Sequence, residues 1–403
     1  LKTDINNGYD AFSLDNNRTT YSDEPGRDTQ DSQAFSFIFN SSELEIANLL
    51  IQTTYNQSDI EYAYDEDWSY VGIHADEYSS TDEYLRNYNR SSFEVRLTSK
   101  HEGSIFNGST NWTLGLYQNN RKEDLTRNYT WTGTFNSELK HSSTSLYSEL
   151  NTNLSEDMSL TYGIRIESSS IDYLDSGDTT GEINETMWGG KITLDKLLSY
   201  QHVAYVSVAR GYKTGGVNSD PDVSEDFRTF DTEINHTIEA GVKSSLLDDQ
   251  LTTRIATFYT QRLDMQAKSS YSIQNPDMSF TFQDYLTNAA EGRNIGIELE
   301  SEWKISPSVT WNTSLGYLNT EFIEYTYETD DGITNKTGRE QAHSPLWSLS
   351  TSAQIRFAKA FNFIIEVEGK DEFYFSDSHD EKSQAYHLVH VKLEYTNNNL
   401  ALS

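Results

Sequence analysis

The stretch Tyr386-His-Leu-Val-His-Val-Lys-Leu-Glu-Tyr-Thr396 decides the fold, because its side chains change character at every second position. Val389, Val391 and Leu393 fall on one face of an extended chain, and polar or charged side chains fall between them. A period of two is that of a β-strand with one apolar and one polar face. The stretch therefore predicts a strand that separates two different environments.

The same alternation recurs upstream and sets the fold class. Residues 294–303 carry Ile295, Ile297 and Leu299 on one face and glutamates on the other. Residues 361–368 repeat the pattern with phenylalanine, isoleucine and valine on the apolar face, although Ile364 interrupts the polar face. No comparable stretch shows a helical period. The sequence therefore predicts an all-β fold.

The composition excludes several classes of protein. The 403 residues carry 63 Asp and Glu against 30 Lys and Arg, and a net charge of -33 disfavours nucleic acid as a partner. Only 35% of the chain is hydrophobic and its apolar runs are short, which excludes a bundle of membrane-spanning helices. The 13% of aromatic residues argues against disorder, and the absence of Cys excludes disulfides.

Short and long connections alternate along the chain. Short turns are predicted at 41–42, 155–156, 248–249, 306–307 and 359–360. Long polar connections are predicted at 16–30, 65–89, 174–185, 213–231, 269–279 and 324–345. This layout is typical of an up-and-down antiparallel β-barrel of the outer membrane, and it gives about sixteen transmembrane strands.

Proline and tryptophan positions agree with this layout. Proline cannot donate to a sheet ladder, and the prolines fall in predicted turns or loops: Pro25, Pro221, Pro276, Pro307 and Pro345. Tryptophan favours the membrane interface, and two girdles are predicted, one from Trp112, Trp303 and Trp311 near short turns, the other from Trp188 and Trp347 near long loops. A soluble β-sandwich or propeller is the alternative that the pattern leaves open.

Signatures of catalysis are missing from the sequence. It contains no G-x-S-x-G, G-x-x-x-x-G-K-[ST] or H-E-x-x-H motif, so we predict that the protein is not an enzyme and uses no cofactor. His387 and His390 are three residues apart, which directs them to opposite faces of a strand and prevents a shared metal ion. The acidic clusters at 65–67 and 330–331 offer oxygen ligands for Ca²⁺, but solvated loops are the favoured interpretation.

Residues 209–220 carry the most specific motif, Ala-Arg-Gly-Tyr-Lys-Thr-Gly-Gly-Val-Asn-Ser-Asp. It resembles the Arg-Gly-Tyr-Lys-x-Gly-Gly-Phe-Asn segment of the TonB-dependent receptors, with Val217 in place of the usual Phe. Further segments resemble the family in the same order, at 239–245, 246–248, 256–259, 288–290 and 296–300, with earlier parts at 7–12 and 91–97. The resemblance spans nearly the whole chain.

This resemblance implies an active transport receptor in the outer membrane of a Gram-negative bacterium. In the family, a barrel of about 22 strands is closed by an N-terminal plug, and a TonB box couples the plug to the TonB complex. Substrates include ferric siderophores, haem, cobalamin and oligosaccharides. We therefore expect three partners: outer-membrane lipid, the TonB complex and a small-molecule or oligosaccharide substrate. We expect no nucleic acid among the partners, and we expect the protein to be a monomer.

The plug and the TonB box are not in this sequence. We expect residues 1–403 to be a partial barrel domain, with about four strands before Leu1 and about two after Ser403. A passive porin, and a surface adhesin or sugar-binding β protein, are the alternatives.

Substrate-binding residues are not assigned from the sequence. Arg210 and Lys213 suit an anionic substrate at the lumen mouth, although pairing with lumen acids or reaching to the interface is favoured. Gly211, Gly215 and Gly216 are expected to relax the backbone where a strand leaves the sheet. Aromatic and histidine side chains of predicted long loops are candidates to line the mouth: Trp68, Tyr70, His74, Tyr84, Tyr325 and His379.

Overall fold

The computed structural model describes residues 1–10, 12, 18–24, 26–73, 78–220, 223–274, 280–329, 332–358, 360–397 and 400–402. Strands make up most of this part of the chain, which contains no α-helix. Two short 3-10 helices, His101–Gly103 and Glu225–Phe227, lie in connections. The all-β prediction is confirmed.

The strands are, in chain order, β1 (Lys2–Gly8), β2 (Arg27–Ser41), β3 (Ala47–Asp65), β4 (Thr81–Ser99), β5 (Thr110–Tyr129), β6 (Gly133–Ser155), β7 (Met158–Asp175), β8 (Thr180–Ser199), β9 (His202–Lys213), β10 (Gly216–Val217), β11 (Thr229–Phe230), β12 (Glu233–Leu246), β13 (Leu251–Gln274), β14 (Phe280–Ser306), β15 (Val309–Thr329), β16 (Gly332–Asn335), β17 (Trp347–Phe357), β18 (Phe361–Lys370), β19 (Phe373–Tyr374), β20 (Lys382–Ser383), β21 (Tyr386–Asn397) and β22 (Leu400–Leu402). Six of these have four residues or fewer, namely β10, β11, β16, β19, β20 and β22. The other sixteen agree with the predicted count.

Sequential antiparallel pairing holds within each of two compact units. The first unit comprises residues 1–148, 165–188 and 214–229, and the second comprises 149–164, 189–213 and 230–403. In the first unit, β1 to β5 pair in chain order. In the second, the order is β8, β9, β12, β13, β14, β15, β17, β18 and β21. This is the predicted up-and-down topology.

One face of several long strands carries exposed apolar side chains at alternate positions. On β5 these include Leu114 and Leu116, and on β14 they include Ile295 and Ile297. Such a contiguous exposed apolar band marks a surface that contacts lipid. We call this side the lipid-facing face and the opposite side the polar face.

Several strands are much longer than a membrane requires. β4 has 19 residues and β14 has 27, whereas about 9–11 residues cross a bilayer. On β4 Phe93 is the one exposed large apolar side chain. The residues from Thr81 to about 91 carry none, so we infer that they project beyond the lipid. Because short turns lie at the other end, the projecting ends are on the extracellular side.

Several predicted long connections are therefore wrong. β7 ends at Asp175 and β8 begins at Thr180, so the predicted connection 174–185 is a short turn. Much of 65–89 and 269–279 is also strand. Beyond the lipid both faces of a strand meet water, so the alternation that reveals a strand disappears.

The predicted short turns are confirmed where the structure describes them. Strands end and restart around 42–46, 156–157, 247–250 and 307–308. Leu247, Asp248 and Asp249 adopt φ of 54°, 53° and 63° in one of these turns. Pro307 and Pro345 lie outside strands. The remaining prolines, Lys359, His74 and residues 330–331 lie outside the described residues.

Tryptophans mark the edges of the lipid-facing band. Trp303 lies directly opposite Trp311 at the short-turn end of β14 and β15. Trp347 begins β17 and packs against Tyr317, with ring centroids 4.8 Å apart. Trp188 is half-exposed but lies well inside β8, not beside a loop, because β8 continues beyond the lipid.

Three glycines of the polar face lie beneath an aromatic ring of another strand. A Cβ added at Gly115 would lie 2.1 Å from Cζ of Tyr147, and one at Gly296 would lie 2.3 Å from Cζ of Phe258. At Gly241 the nearest ring atom of Tyr205 would be 2.6 Å away. No side chain fits in these places, so glycine is required by close approach rather than by an unusual φ.

Candidate functional site

The extracellular halves of β3, β4 and β5 place a cluster of arginines and tyrosines on the polar face. Alternate residues of a strand share a face, and cross-strand pairing joins the three rows: Tyr62 lies opposite Tyr84, and Tyr84 opposite Arg127. We call this cluster the arginine–tyrosine tract; it consists of Tyr62, Tyr64, Tyr84, Arg86, Tyr88, Arg90, Arg121, Arg127 and Tyr129.

Asp82 anchors the upper end of the tract. Its carboxylate is almost fully buried, with 1% exposure. Arg127 donates to it from Nε at 2.9 Å and from the terminal nitrogen at 2.7 Å. The hydroxyls of Tyr64 and Tyr84 donate to the same carboxylate at 3.2 and 2.9 Å. These bonds satisfy the buried charge, as burial requires.

Protonation states in this upper end, which lies outside the membrane, are fixed by burial and by Asp82. Burial first, and then the carboxylate of Asp82, raise the pKa of both Tyr64 and Tyr84 to about 12. Hydrogen bonds to Asp82 raise the pKa of Arg127 above its usual value. At physiological pH the two hydroxyls are therefore neutral donors and the guanidinium is charged.

The lower part of the tract carries an excess of positive charge. Arg121 pairs with Glu123 at 3.0 Å, and Tyr88 donates its hydroxyl to the same glutamate at 3.0 Å. Arg90 lies directly opposite Arg121 and donates from Nε to the side-chain oxygen of Asn119 at 2.9 Å. Arg86 lies over the ring of Tyr84, 4.8 Å from its centroid.

Aromatic rings continue from the tract to the adjacent loop. Tyr62 and Tyr64 have ring centroids 5.7 Å apart, and Tyr64 stacks on Trp68 at 5.6 Å with an interplanar angle of 22°. Phe12 lies 5.8 Å from Trp68. A row of rings beside arginines provides surfaces for aromatic or planar ligands.

The acidic cluster at 65–67 is not a solvated loop, contrary to the favoured interpretation. Asp65 is buried, and its Oδ2 accepts from the backbone of Asp23 at 3.1 Å. Ser80 donates from its backbone to Asp67 at 3.1 Å and from its hydroxyl to Glu66 at 2.6 Å. Among the described residues no group of three or more His, Asp or Glu is arranged to hold a metal ion. The cluster closes its loop by hydrogen bonds.

The residues predicted as candidates to line the mouth differ in position and in burial. Trp68 and Tyr84 lie at the tract, and Tyr70 and His379 are exposed. The expectation for Tyr325 is wrong, because it is fully buried against Phe322 at 4.6 Å and donates to the backbone of Lys268. It belongs to a small core at the extracellular strand ends, with Met265, Ala267, Ala290 and Phe322.

The Arg-Gly-Tyr-Lys motif has structural contacts. Gly211 donates its N–H to Asn235 at 3.2 Å, and a Cβ there would meet the same side chain at 2.6 Å. The N–H of Gly215 donates to Glu185 at 3.1 Å. Neither glycine has a positive φ, so close approach explains Gly211 better than a relaxed backbone. Arg210 lies two residues after the exposed Val208 and therefore on the same, lipid-facing face of β9, not on the face toward the lumen.

The prediction of a loop at 65–89 hid the central row of the tract, which lies on β4. The signal is nevertheless present, since Tyr84, Arg86, Tyr88 and Arg90 occupy alternate positions. On a strand this spacing places all four side chains on one face. His387 and His390 fall on opposite faces of β21, as predicted from the same rule.

The two faces and the length of the strands define the class of the protein, an outer-membrane β-barrel. No helix in the described part of the chain is long and apolar enough to cross a membrane. The family model "TonB dependent receptor-like, beta-barrel" matches residues 2–403, and the chain belongs to this family of outer-membrane proteins of Gram-negative bacteria.

Relatives agree with this assignment. The pesticin receptor of Yersinia pestis is 29% identical over 221 residues, which cover 52% of this chain and 31% of the receptor. The crystal structure of the ferric yersiniabactin uptake receptor FyuA from Yersinia pestis matches with a TM-score of 0.71 and 21% identity, over 92% of this chain and 54% of that one.

The siderophore receptor PiuA from Acinetobacter baumannii matches with a TM-score of 0.76 and 14% identity, over 99% of this chain and 64% of that one. At these identities the solved structures show the fold alone. The chain therefore spans about a third of the length of the curated relatives it matches and between half and two thirds of the solved ones.

Proposed function

We propose that the whole protein takes up a siderophore-type ferric chelate across the outer membrane and is energised through TonB. The observation that carries this proposal is the family match over residues 2–403. The names of the relatives support the substrate class, since they include a ferric yersiniabactin uptake receptor and a siderophore receptor. The arginine–tyrosine tract offers polar and aromatic contacts on the extracellular side.

We also propose that residues 1–403 are a partial barrel domain and that a plug with a TonB box lies elsewhere in the protein. The share of the solved relatives that this chain covers, 54% for FyuA and 64% for PiuA, supports this proposal. The barrel then supplies the wall and the extracellular mouth. The plug would supply the gate, and TonB the force that moves it.

Uptake in whole cells tests the proposal. The full-length gene product is expressed in a Gram-negative host that lacks its own ferric siderophore receptors, with and without TonB, and uptake of radiolabelled ferric chelates is measured. We expect uptake only when the receptor and TonB are both present. Equal uptake without TonB would indicate a passive porin, and no uptake of any ferric chelate would refute the substrate class.

A further inference from the structure

We propose that Asp65 and Asp67 share a proton and thereby form a latch between two extracellular segments. The segments are residues 20–24, which precede β2, and residues 66–73 and 78–80, which lie between β3 and β4. The latch is closed in acid and opens as the pH rises toward neutral. The inference concerns a conformational device and depends neither on the substrate class nor on TonB.

Asp65 is buried where the two segments meet, with 1% exposure. Its Oδ2 accepts a hydrogen bond from the backbone N–H of Asp23 at 3.1 Å, and the hydroxyl of Ser22 donates to the same carboxyl group. Its other oxygen, Oδ1, is buried and has no donor among the described residues. Because this chain itself encloses Oδ1, no other part of the protein can supply the donor. An ionised carboxylate is costly in such a place.

The group within hydrogen-bonding distance of Asp65 is a second carboxyl group, that of Asp67. Asp67 already accepts two hydrogen bonds, one from the hydroxyl of Ser69 at 2.6 Å and one from the backbone N–H of Ser80 at 3.1 Å. Two adjacent carboxylates repel each other, whereas a single proton between them makes the contact a hydrogen bond. The two donors favour the ionised form of Asp67, so the proton resides on Asp65.

The neighbouring acids connect the two segments around this pair. Asp23 accepts from the backbone N–H of Val71 and from the hydroxyl of Ser79, both at 3.3 Å. Glu66 accepts from the hydroxyl of Ser80 at 2.6 Å, and the hydroxyl of Tyr129 on β5 donates to it at 3.3 Å.

The charged groups that these contacts place around Asp65 are all acidic: Asp67 and Glu66 from its own connection and Asp23 from the other segment. None of them stabilises an ionised Asp65. Loss of the shared proton therefore places an additional negative charge among three others. The bonds between the two segments should then weaken together.

The direction of the pH dependence follows from the closed geometry. Burial first, and then the hydrogen bond to Asp67, raise the pKa of Asp65 to about 6. When the segments separate, the pKa of Asp65 returns to its ordinary value of about 4. Because the pKa is higher in the closed form, the proton stabilises that form below pH 4, and this contribution is lost as the pH rises through 6. The ratio of open to closed molecules should rise roughly fifty-fold between pH 4 and pH 7.

Hydrogen exchange of the purified full-length receptor, followed by mass spectrometry, tests the latch. Exchange is measured between pH 4 and pH 7, and the rate of each peptide is divided by its intrinsic rate. Peptides that cover residues 20–24 and 66–73 should lose protection together as the pH rises, by roughly fifty-fold in the opening ratio. Peptides from the membrane-spanning part of β13 should not change.

Two substitutions should hold the latch closed. Asp65→Asn places an amide donor against Asp67 at every pH, so both segments should stay protected at pH 7 and the pH dependence should vanish. Asp67→Asn should also abolish it, because the new amide can donate to an ionised Asp65. Asp59→Asn is the matched control and should keep the wild-type profile, since Asp59 is exposed on the same strand and accepts from the amide of Asn87. Protection at pH 4 equal to that of the wild type shows that a variant forms the closed state.

Three results would overturn the latch. The first is the same pH dependence in Asp65→Asn as in the wild type. The second is loss of protection in only one of the two segments, because a latch must release both. The third is loss of the pH dependence in the Asp59→Asn control. Uptake of a ferric chelate does not enter any of these comparisons, so the latch and the proposed function stand or fall separately.

Discussion

Replacing Gly115 by alanine tests how the polar face is assembled. The added Cβ would lie 2.1 Å from Cζ of Tyr147 and 2.3 Å from its hydroxyl oxygen, whereas real Cβ contacts stay beyond 3.0 Å. The ring must therefore retreat, and its hydroxyl, which donates to Glu94, must move with it. Overpacking costs about 1–3 kcal/mol, and loss of a hydrogen bond to a charged group costs about 1.5–3 kcal/mol.

We therefore expect Gly115→Ala to reduce the free energy of unfolding by about 2.5–6 kcal/mol. The measurement is urea unfolding of the full-length receptor in lipid vesicles, followed by tryptophan fluorescence. In a Tyr147→Ala background the same substitution should be neutral or slightly stabilising, because alanine has less backbone entropy to lose than glycine. In a Tyr147→Phe background it should keep only the overpacking cost, since the hydroxyl is absent.

The reasoning is refuted if Gly115→Ala unfolds at the urea concentration of the wild type. It is also refuted if the loss is the same with and without the ring of Tyr147, because the coupling energy would then be zero. Gly296 packs against the ring of Phe258 in the same way and provides a second test. There the ring has no hydroxyl, so the expected loss is the overpacking term alone, about 1–3 kcal/mol.

Three further predictions concern the extracellular strand ends and one turn. Phe322→Ala removes a fully buried ring and should cost about 3–5 kcal/mol in urea unfolding, whereas Ile333→Ala, at a 76% exposed position, should cost nothing measurable. Burial first, and then a hydrogen bond to a second carboxyl group, raise the pKa of Asp65 to about 6. Because this folded-state pKa lies above the unfolded value of about 4, its stabilising contribution is present below pH 4 and is lost as the pH rises through 6. The hydrogen exchange rate of the Ser80 amide should therefore rise between pH 4 and 6 by more than the intrinsic exchange rate does. Asp65→Asn should abolish this additional rise. If the pH dependence of exchange is the same in the variant as in the wild type, the assignment to Asp65 is contradicted. Leu247→Gly should stabilise by about 0.5–1 kcal/mol, because it relieves a left-handed conformation with φ of 54°, and a lower unfolding midpoint would disprove this.

The transmembrane part of each strand was predictable from residue types. Val389, Val391 and Leu393 alternate with polar residues because one face of β21 meets lipid and the other meets water. The short turns follow for the same reason, since they interrupt this alternation with Ser, Asp or Pro. The Arg-Gly-Tyr-Lys motif indicated membership of the TonB-dependent receptor family, and the family match over residues 2–403 confirms it.

The candidate site was less predictable, because its residues lie beyond the lipid. There the alternation carries no hydrophobic contrast, so Tyr84, Arg86 and Tyr88 were assigned to a loop although they lie on β4. Tyr325 was wrong for a related reason. It was a candidate to line the exposed mouth, whereas the structure buries it among neighbouring strand ends that its own stretch of sequence does not reveal.

The sequence by itself determined an antiparallel β-sheet with one apolar and one polar face, the positions of its short turns, and its family. The sheet and the turns were readable because lipid on one face and water on the other require apolar and polar residues to alternate along each strand. Only the tertiary structure decided which residues meet across strands. The register between β4 and β5 brings Arg127 to Asp82 and sets Arg90 against Arg121, although each pair is far apart in the chain. Pairing register depends on the sum of many backbone bonds and packing contacts rather than on any local pattern, so these cross-strand contacts become visible only in the folded sheet.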